Sequence, residues 1–392
     1  MVCTVLRLIF ATMQFKDVIG QAAVKERLAL SFKEGRISHA QLFFGPTGSG
    51  VLPLALAYAQ FLTCTERTDT DSCGKCPSCL RNSKLVHPDV HYSYPVVTDS
   101  KRGFKKPISL DYITEWRETV IPFPYLNYND WVGAIAENEN KQATIMVEEA
   151  GDIVRKISMK AYEAPFKVVI MWLPEKMSAV VSNKMLKSIE EPPDNTIFIL
   201  ASEQRDQIIQ TILSRTQLIK VNRLSDDEIA NALMHRKHLS EDHARDIARL
   251  ADGDFHLALE LSREALGDAS HETEFLNWMR LCFNPMKSMD KLQAWVDGMH
   301  GAGREKQKQF LFACIQTVRE CMMINLADRQ LVKIDNQQIQ ALDKFLPFVN
   351  AHNMTPFVEA LNEAYYHIER NAHGKILFLD LSLKLSRILQ IK

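Results

Sequence analysis

No apolar run in this 392-residue chain approaches the roughly 20 residues needed to cross a bilayer, so no membrane-spanning helix is expected. An excess of charge of one sign is also missing. The 47 Lys and Arg nearly balance 48 Asp and Glu, leaving a formal net charge of −1. That argues against holding nucleic acid mainly by net charge, although a local patch is compatible with it. No internal repeat occurs at solenoid spacing. Cysteine is sparse, eight in all, and four of these fall between residues 64 and 79. Such clustering fits a metal site in a reducing compartment better than a disulfide scaffold, and the cytoplasm is the expected location. Residues 1–12 resemble a short signal peptide, but their apolar part is brief and no small-residue cleavage site follows. We read them as an extension ahead of a second start at Met13.

What the chain does have is an ordinary globular composition, 46% hydrophobic and 24% charged, over a length that predicts two or three domains. Its organising stretch is residues 42–53, Leu-Phe-Phe-Gly-Pro-Thr-Gly-Ser-Gly-Val-Leu-Pro. An apolar strand (42–44) feeds a glycine turn formed by Gly45, Pro46, Thr47, Gly48, Ser49 and Gly50, and a helix is expected over 54–62. This is the setting of a phosphate-binding P-loop, in which backbone N–H groups and a helix N-terminus cradle phosphates. The Lys and the Ser or Thr that should follow the last glycine are absent, and Val51 and Leu52 occupy their places. The group that reaches the β- and γ-phosphates and the hydroxyl that holds Mg²⁺ are thus both lost. An ATPase of this architecture also needs an acidic pair at the end of a buried strand. The strand expected over 167–171 runs instead into Trp172 and Leu173, with Glu175 two residues later. Two independent losses are hard to reconcile with hydrolysis.

Strands at 42–44, 90–97, 167–171, 196–201 and 217–221 alternate with helices at 145–157, 182–189 and 208–213, which argues for a parallel α/β sheet. Residues 98–140 are polar and aromatic-rich, with Pro107, Pro122 and Pro124, and read as an insertion with little regular structure. They carry a basic knot, Lys101, Arg102, Lys105 and Lys106, which is more simply a solvated loop than a nucleic-acid contact. From residue 225 the pattern is helical to 266, broken at Asp252-Gly253-Asp254, and helical again from about 272 to the end. The last stretch, 376–389, places Leu377, Leu381, Leu385 and Ile388 on one helical face and reads as a buried helix.

Cys64, Cys73, Cys76 and Cys79 follow the pattern C-x8-C-x2-C-x2-C, with Gly74 and Pro77 providing turns. Four thiolates can close a tetrahedron around Zn²⁺, and a closed shell makes such a site structural. Fe–S ligation and Cys73–Cys76 redox chemistry are weaker alternatives, and four unrelated buried thiols are weaker still. Cys3, Cys282, Cys314 and Cys321 read as core or incidental residues. Ser214-Arg215 ends a short helix after an apolar strand. An Arg there could reach a neighbour's active site in trans, as arginine fingers do, although by itself it reads as an ordinary surface charge.

These residues together resemble the clamp-loader AAA+ ATPases of bacterial DNA polymerase III, and within them the delta-prime type of subunit. The matching stretches are Asp17-Val18-Ile19-Gly20-Gln21, Ser38-His39-Ala40, the cysteine cluster and His87-Pro88-Asp89. The longest runs from Asn183 through Lys184, Met185, Leu186, Lys187, Ser188, Ile189, Glu190 and Glu191 to Pro192-Pro193, with residues 196–200 and 211–215 after it. The match covers 14–223, while the tail, with Asn371 and 375–385, is similar only in layout. The resemblance implies an AAA+ P-loop parallel sheet over 13–223 with an inserted zinc module at 64–79, a helical lid at 224–266 and an all-helical collar at 272–392. It implies a five-subunit ring with gamma or tau motors and delta, which opens the sliding clamp and places it on primed DNA. It also implies membership of a holoenzyme whose complex carries DNA polymerase activity. Arg215 would be the trans arginine, in a Ser214-Arg215-Thr216 motif that keeps the Arg and loses the family's Cys. In the lid, His256 stands where motors carry a second nucleotide-sensing Arg. With Val51, Leu52, Trp172 and Leu173, this predicts a structural Zn²⁺, no bound ATP and no hydrolysis. The insertion at 98–140 is longer than the family's usual one and has no assigned role.

Two other functions compete. An active motor subunit with an unusual P-loop would hydrolyse ATP as the purified chain. A zinc-ribbon nucleic-acid binder would bind DNA tightly and lose it steeply with salt.

Overall fold

A computed structural model describes residues 13–99, 103–136, 141–237, 239–265, 270–285, 287–326, 342, 345–350, 352–370 and 372–391. The N-terminal extension, Lys101, Arg102 and Asn371 lie outside the described residues. The chain divides into two compact units, Met1–Glu260 and Leu261–Lys392.

The first unit runs α1 (Ala22–Lys33), β1 (Ala40–Phe44), α2 (Val51–Thr63), α3 (Pro77–Asn82), β2 (Val90–Ser93), α4 (Ile113–Val120) and α5 (Tyr128–Ile135). It continues with α6 (Val147–Ser158), β3 (Lys167–Trp172), α7 (Ala179–Glu190), β4 (Thr196–Ser202), α8 (Gln210–Leu213), β5 (Gln217–Lys220), α9 (Asp226–Lys237) and α10 (Glu241–Ala251). The boundary between the units falls within α11 (Phe255–Ala265).

Among the described residues the strands form one sheet in the order β2-β3-β4-β1-β5, every pair parallel. β3 and β4 are buried along their whole length, which is why they read as continuous apolar, β-branched runs instead of alternating ones. α2 is buried at every position, and its Leu- and Ala-rich sequence fits that burial. β1 sits between β4 and β5, so the chain leaves it in one direction for β2 and later arrives on its other side with β5. In open α/β sheets, the crevice beyond the carboxyl ends of the strands at such a switch point is where ligands bind. The glycine turn follows the carboxyl end of β1 directly.

One expectation is overturned. The described residues of the 98–140 tract are not irregular: they form a 3₁₀ turn at Ser109–Tyr112 and the helices α4 and α5. Its aromatics are core residues. Trp116 stacks on Tyr94 with ring centroids 4.0 Å apart and meets Trp131 edge-on at 5.2 Å. Tyr112, Trp116 and Trp131 are fully buried. Glu149 of α6 accepts from the Ser109 N–H at 2.7 Å and ties the tract to the main body. Short helices and prolines hid this in the sequence, because the order comes from large buried rings and not from periodicity.

The second unit is helical among its described residues: α12 (Ser270–Phe283), α13 (Met289–Gly301), α14 (Arg304–Leu326), α15 (Met354–Glu369) and α16 (Gly374–Ile388). Trp278 stacks on Trp295 at 4.9 Å and donates from its indole N–H to Ser382 Oγ at 2.8 Å. The final helix is buried as expected at Leu381 and Leu385, but Leu377 and Ile388 are only partly buried and Phe378 and Leu389 complete the buried face, because the face is centred one position later; Cys282, Cys314 and Cys321 are core thiols, as expected.

Candidate functional site

The glycine turn is closely packed by residues from distant parts of the chain. Gly48 has φ +73°, the left-handed region that glycine adopts without penalty, and a Cβ there would overlap Asp254 Oδ1. The Gly48 carbonyl accepts from the Phe255 N–H at 3.2 Å, so the first turn of α11 is fastened to the loop. On the other side the Tyr125 ring covers Gly50, where a Cβ would stand 3.2 Å from it. Tyr125 is 2% exposed, its hydroxyl accepts from the Ile19 N–H at 2.9 Å, and its ring meets Phe255 edge-on at 5.0 Å. Gln21, from the Asp17–Gln21 match, donates to the Ser49 carbonyl at 3.2 Å and the Asn222 carbonyl at 2.6 Å. Val51 opens α2, and both it and Leu52 are buried among apolar side chains.

The positions expected to be acidic are built into the core as well. Trp172 packs on Trp116 of α4 with centroids 5.3 Å apart. Leu173 is buried and turns the chain with φ +55°. Glu175 then caps the loop after β4, accepting from the N–H groups of Glu203 and Gln204 at 2.9 and 3.1 Å. Glu203 accepts from the Thr47 hydroxyl at 2.8 Å. Burial pushes its carboxyl up to about 7, with neighbouring Glu175 and Asp254 adding to the shift. The position that P-loop chemistry gives to a Lys is held here by Val51, buried among apolar side chains, so no cation stands at the end of the loop.

His256 ties the start of α11 to α5. Its Nε2 lies 2.6 Å from Asp130 Oδ2, Glu260 is 3.7 Å from Nδ1, and Asn127 also reaches the ring. Burial lowers its pKa, but Asp130, Glu260 and Asp254 outweigh burial and raise it. The ligand-type atoms of Asp130, His256 and Glu260 lie within 4.8 Å of one another. Zinc ligands with bonds of about 2.0 Å stand roughly 3.3 Å apart, so the 2.6 Å spacing is that of a charge-assisted hydrogen bond. Sequence reasoning missed Tyr125 and Asp254 as partners of the loop and Asp130 as a partner of His256, since no local pattern links positions so far apart.

The cysteine module has the opposite geometry. Four thiolates on a tetrahedron with Zn–S bonds of about 2.3 Å stand roughly 3.8 Å apart. Cys64 and Cys76 Sγ are 3.9 Å apart, as are Cys73 and Cys79. Backbone N–H groups of Cys73, Cys76 and Cys79 point at the sulfurs of Cys64, Cys73 and Cys76 at 3.3, 3.3 and 3.5 Å, an arrangement that favours thiolates. Burial pushes the Cys64 and Cys79 thiols up, whereas at Cys76 hydrogen bonds from Thr65 and the Cys79 backbone outweigh burial and bring the thiol to about 6. Cys76 caps α3 and Pro77 opens it, so helix and ligand spacing are set together. Gly74 has φ +71° and faces Gln14, leaving no room for a side chain. Arg67, which sequence reasoning did not single out, lies over the Phe32 ring at 4.2 Å and donates to the Cys64 carbonyl, placing a positive charge beside the thiolates. The donor set fits Zn²⁺ in a closed, structural shell.

Arg215 follows α8. Its Nε donates to Glu190 Oε2 at 2.7 Å and its Nη1 to the Thr211 carbonyl at 3.1 Å. The side chain is one-third exposed. Thr216, where the resemblance expects Cys, is buried and donates to the Ile212 carbonyl at 3.1 Å. His87 and Asp89 of the His-Pro-Asp match are structural. Asp89 accepts from the N–H groups of Glu163 and Ala164 at 2.9 and 2.8 Å, and His87 lies 3.1 Å from Glu163. In the basic knot, Lys106 pairs with Glu148 at 3.1 Å.

A parallel sheet with a glycine loop at its switch point, a cysteine module after the loop helix and an arginine at the end of α8 define a P-loop protein of the AAA+ kind. A family model described as "DNA polymerase III, delta subunit" matches residues 20–225. The chain belongs to this family, a clamp-loader family of DNA replication. It is similar to the tau subunit of DNA polymerase III from Bacillus subtilis, at 26% identity over 66% of this chain and 38% of that protein. Similarity to the Escherichia coli tau subunit is 25% over 72% of this chain and again 38% of the relative. For a gamma subunit from Buchnera aphidicola the figures are 26%, 70% and 64%. The chain thus matches little more than a third of the tau relatives' length. Among solved structures, a gamma-subunit-related protein from Thermotoga maritima aligns over 93% of this chain and 99% of its own, at 15% identity and a TM-score of 0.40. The Thermotoga maritima RuvB branch-migration motor aligns over 65% and 64%, at 15% identity and a TM-score of 0.38. Among the described residues, no helix is long and apolar enough to cross a membrane.

Proposed function

We propose that this chain is a non-hydrolysing, delta-prime-like subunit of a bacterial clamp loader. It helps place the sliding clamp on primed DNA and lends Arg215 to the ATP site of a neighbouring motor subunit. The observation that carries this reading is the closely packed glycine turn. Tyr125 lies over Gly50, Asp254 abuts Gly48, and Val51, Leu52, Trp172 and Leu173 are core residues. Occupying that loop would require a triphosphate to displace a buried ring and to sit against a carboxylate. In this reading the AAA+-like part spans 13–223, the lid 224–266 and the collar 272–392, within a cytoplasmic ring of five containing gamma or tau motors and delta. Cys64, Cys73, Cys76 and Cys79 hold a structural Zn²⁺.

A second reading, an active motor, is favoured by the tau and gamma names of the relatives. Equilibrium binding of a fluorescent ATP analogue to the purified chain with Mg²⁺ separates the two. We expect no binding at millimolar nucleotide, and tight binding with hydrolysis would establish the motor. The Arg215 role has its own test. In a reconstituted loader, Arg215→Ala should slow ATP hydrolysis by a factor on the order of 10³–10⁵ while assembly persists. An unchanged rate would remove Arg215 from the site.

A further inference from the structure

Arg215 is held by two anchors that divide its guanidinium. Glu190, the last residue of α7, takes the Nε hydrogen at 2.7 Å. The Thr211 carbonyl takes an Nη1 hydrogen at 3.1 Å, with Ser214 Oγ 3.5 Å from the same nitrogen. Among the described residues neither anchor engages Nη2, so the outer edge of the fork is left for an acceptor beyond this chain. The pair is half open to solvent, with side chains 33% and 50% exposed. An ion pair so exposed contributes little to stability. Its effect is instead geometric, because it restricts a long side chain that would otherwise sample many rotamers.

We infer that Glu190 is a positioning residue. Its carboxylate fixes Nε so that the Nη1–Nη2 edge of Arg215 is presented, already oriented, to a phosphoryl group bound by a neighbouring subunit. This rests on the reading of Arg215 as a trans arginine. The arrangement is not a blocking one. A carboxylate that withheld the arginine would take its outer edge in a bidentate grip, the geometry a phosphate also needs. Glu190 sits on the Nε side, so its bond and a phosphate contact can coexist. The resemblance points to Arg215 alone; only the structure shows Glu190, 25 positions earlier, beside it.

The test is ATP turnover by the full loader assembled with wild-type chain, Glu190→Ala, Glu190→Gln, Arg215→Ala or the double Ala variant. Misplacing a reacting group by an ångström can cost about a hundredfold, so Glu190→Ala should lower kcat roughly tenfold to a hundredfold with KM nearly unchanged. Glu190→Gln retains an acceptor for Nε and should recover most of that loss. The double variant should be no slower than Arg215→Ala. If Glu190→Ala turns over at or above the wild-type rate while Arg215→Ala is slow, the inference is overturned and the trans-arginine reading stands. A Glu190→Ala loss that persists in full on the Arg215→Ala background, or that tracks lost ring assembly on size exclusion, also overturns it. If Arg215→Ala itself is unimpaired, the trans-arginine reading fails, and the role of Glu190 fails with it.

Discussion

Tyr125 packs against the glycine turn at Gly50, and its removal has a calculable cost. Its ring is buried between Gly50 and Phe255, and its hydroxyl is the acceptor for the Ile19 N–H. Truncating a buried aromatic to Ala costs about 3–5 kcal/mol through lost contacts and the cavity left behind. Leaving the Ile19 N–H without its partner adds about 1–3 kcal/mol. Tyr125→Ala should therefore destabilise the first unit by about 5 kcal/mol, much of the 5–15 kcal/mol typical of a whole domain. Tyr125→Phe keeps the ring and loses only the acceptor, so it should cost about 1–3 kcal/mol. Denaturant unfolding followed by tryptophan fluorescence suits the question, because Trp116, Trp131 and Trp172 share one aromatic cluster in this unit. A Tyr125→Ala variant within about 1 kcal/mol of wild type would mean that the ring does not fill the space over the loop, and the reasoning would fail.

The remaining predictions concern the cysteine module and pH. Cys73→Ser removes one of four ligands, so zinc content should fall and melting should come earlier, as should follow chelation of the wild type; unchanged zinc and unchanged melting would count against a structural metal. Burial raises the Glu203 carboxyl from 4.5 to about 7, so the folded state binds this proton more tightly than the unfolded chain. Stability should then fall as pH rises from about 4.5 to about 7, and Glu203→Gln should flatten that part of the curve. His256 acts in the same direction at higher pH. With Asp130, Glu260 and Asp254 raising its pKa, its contribution is complete below 6.5 and is lost as pH rises through the raised value. His256→Gln should therefore weaken the pH dependence above 6.5, and an unaltered profile would show that the Asp130 contact does not hold α11.

Much was legible because it is local. A strand running into glycines and then a helix is a short-range pattern, and so are two C-x2-C spacings around Gly74 and Pro77. Buried strands announce themselves as apolar runs, as β3 and β4 did. The losses at Val51, Leu52, Trp172 and Leu173 could be read directly, because the chemistry expected at those positions is specific. The 98–140 tract was misread because its order lies in side chains meeting across the fold: Trp116 on Tyr94, Trp131 on Trp116 and Trp172 on Trp116. No periodicity within the tract encodes those meetings.

The sequence by itself determined which atoms are present. It has four thiols at ligand spacing, a glycine loop without its Lys and hydroxyl, and an arginine at the end of a short helix. These are matters of residue identity and of spacings of a few residues, which local backbone geometry converts into position. Only the tertiary structure decided what surrounds them. It brought Tyr125, from 75 positions downstream of Gly50, over the loop, and set Asp254 against Gly48. It also placed Glu190 beside Arg215 and Arg67 beside the cysteines. Such partners are joined by hydrophobic burial of the sheet and its insertion into one core, a cooperative outcome of the whole unit that no window of sequence contains.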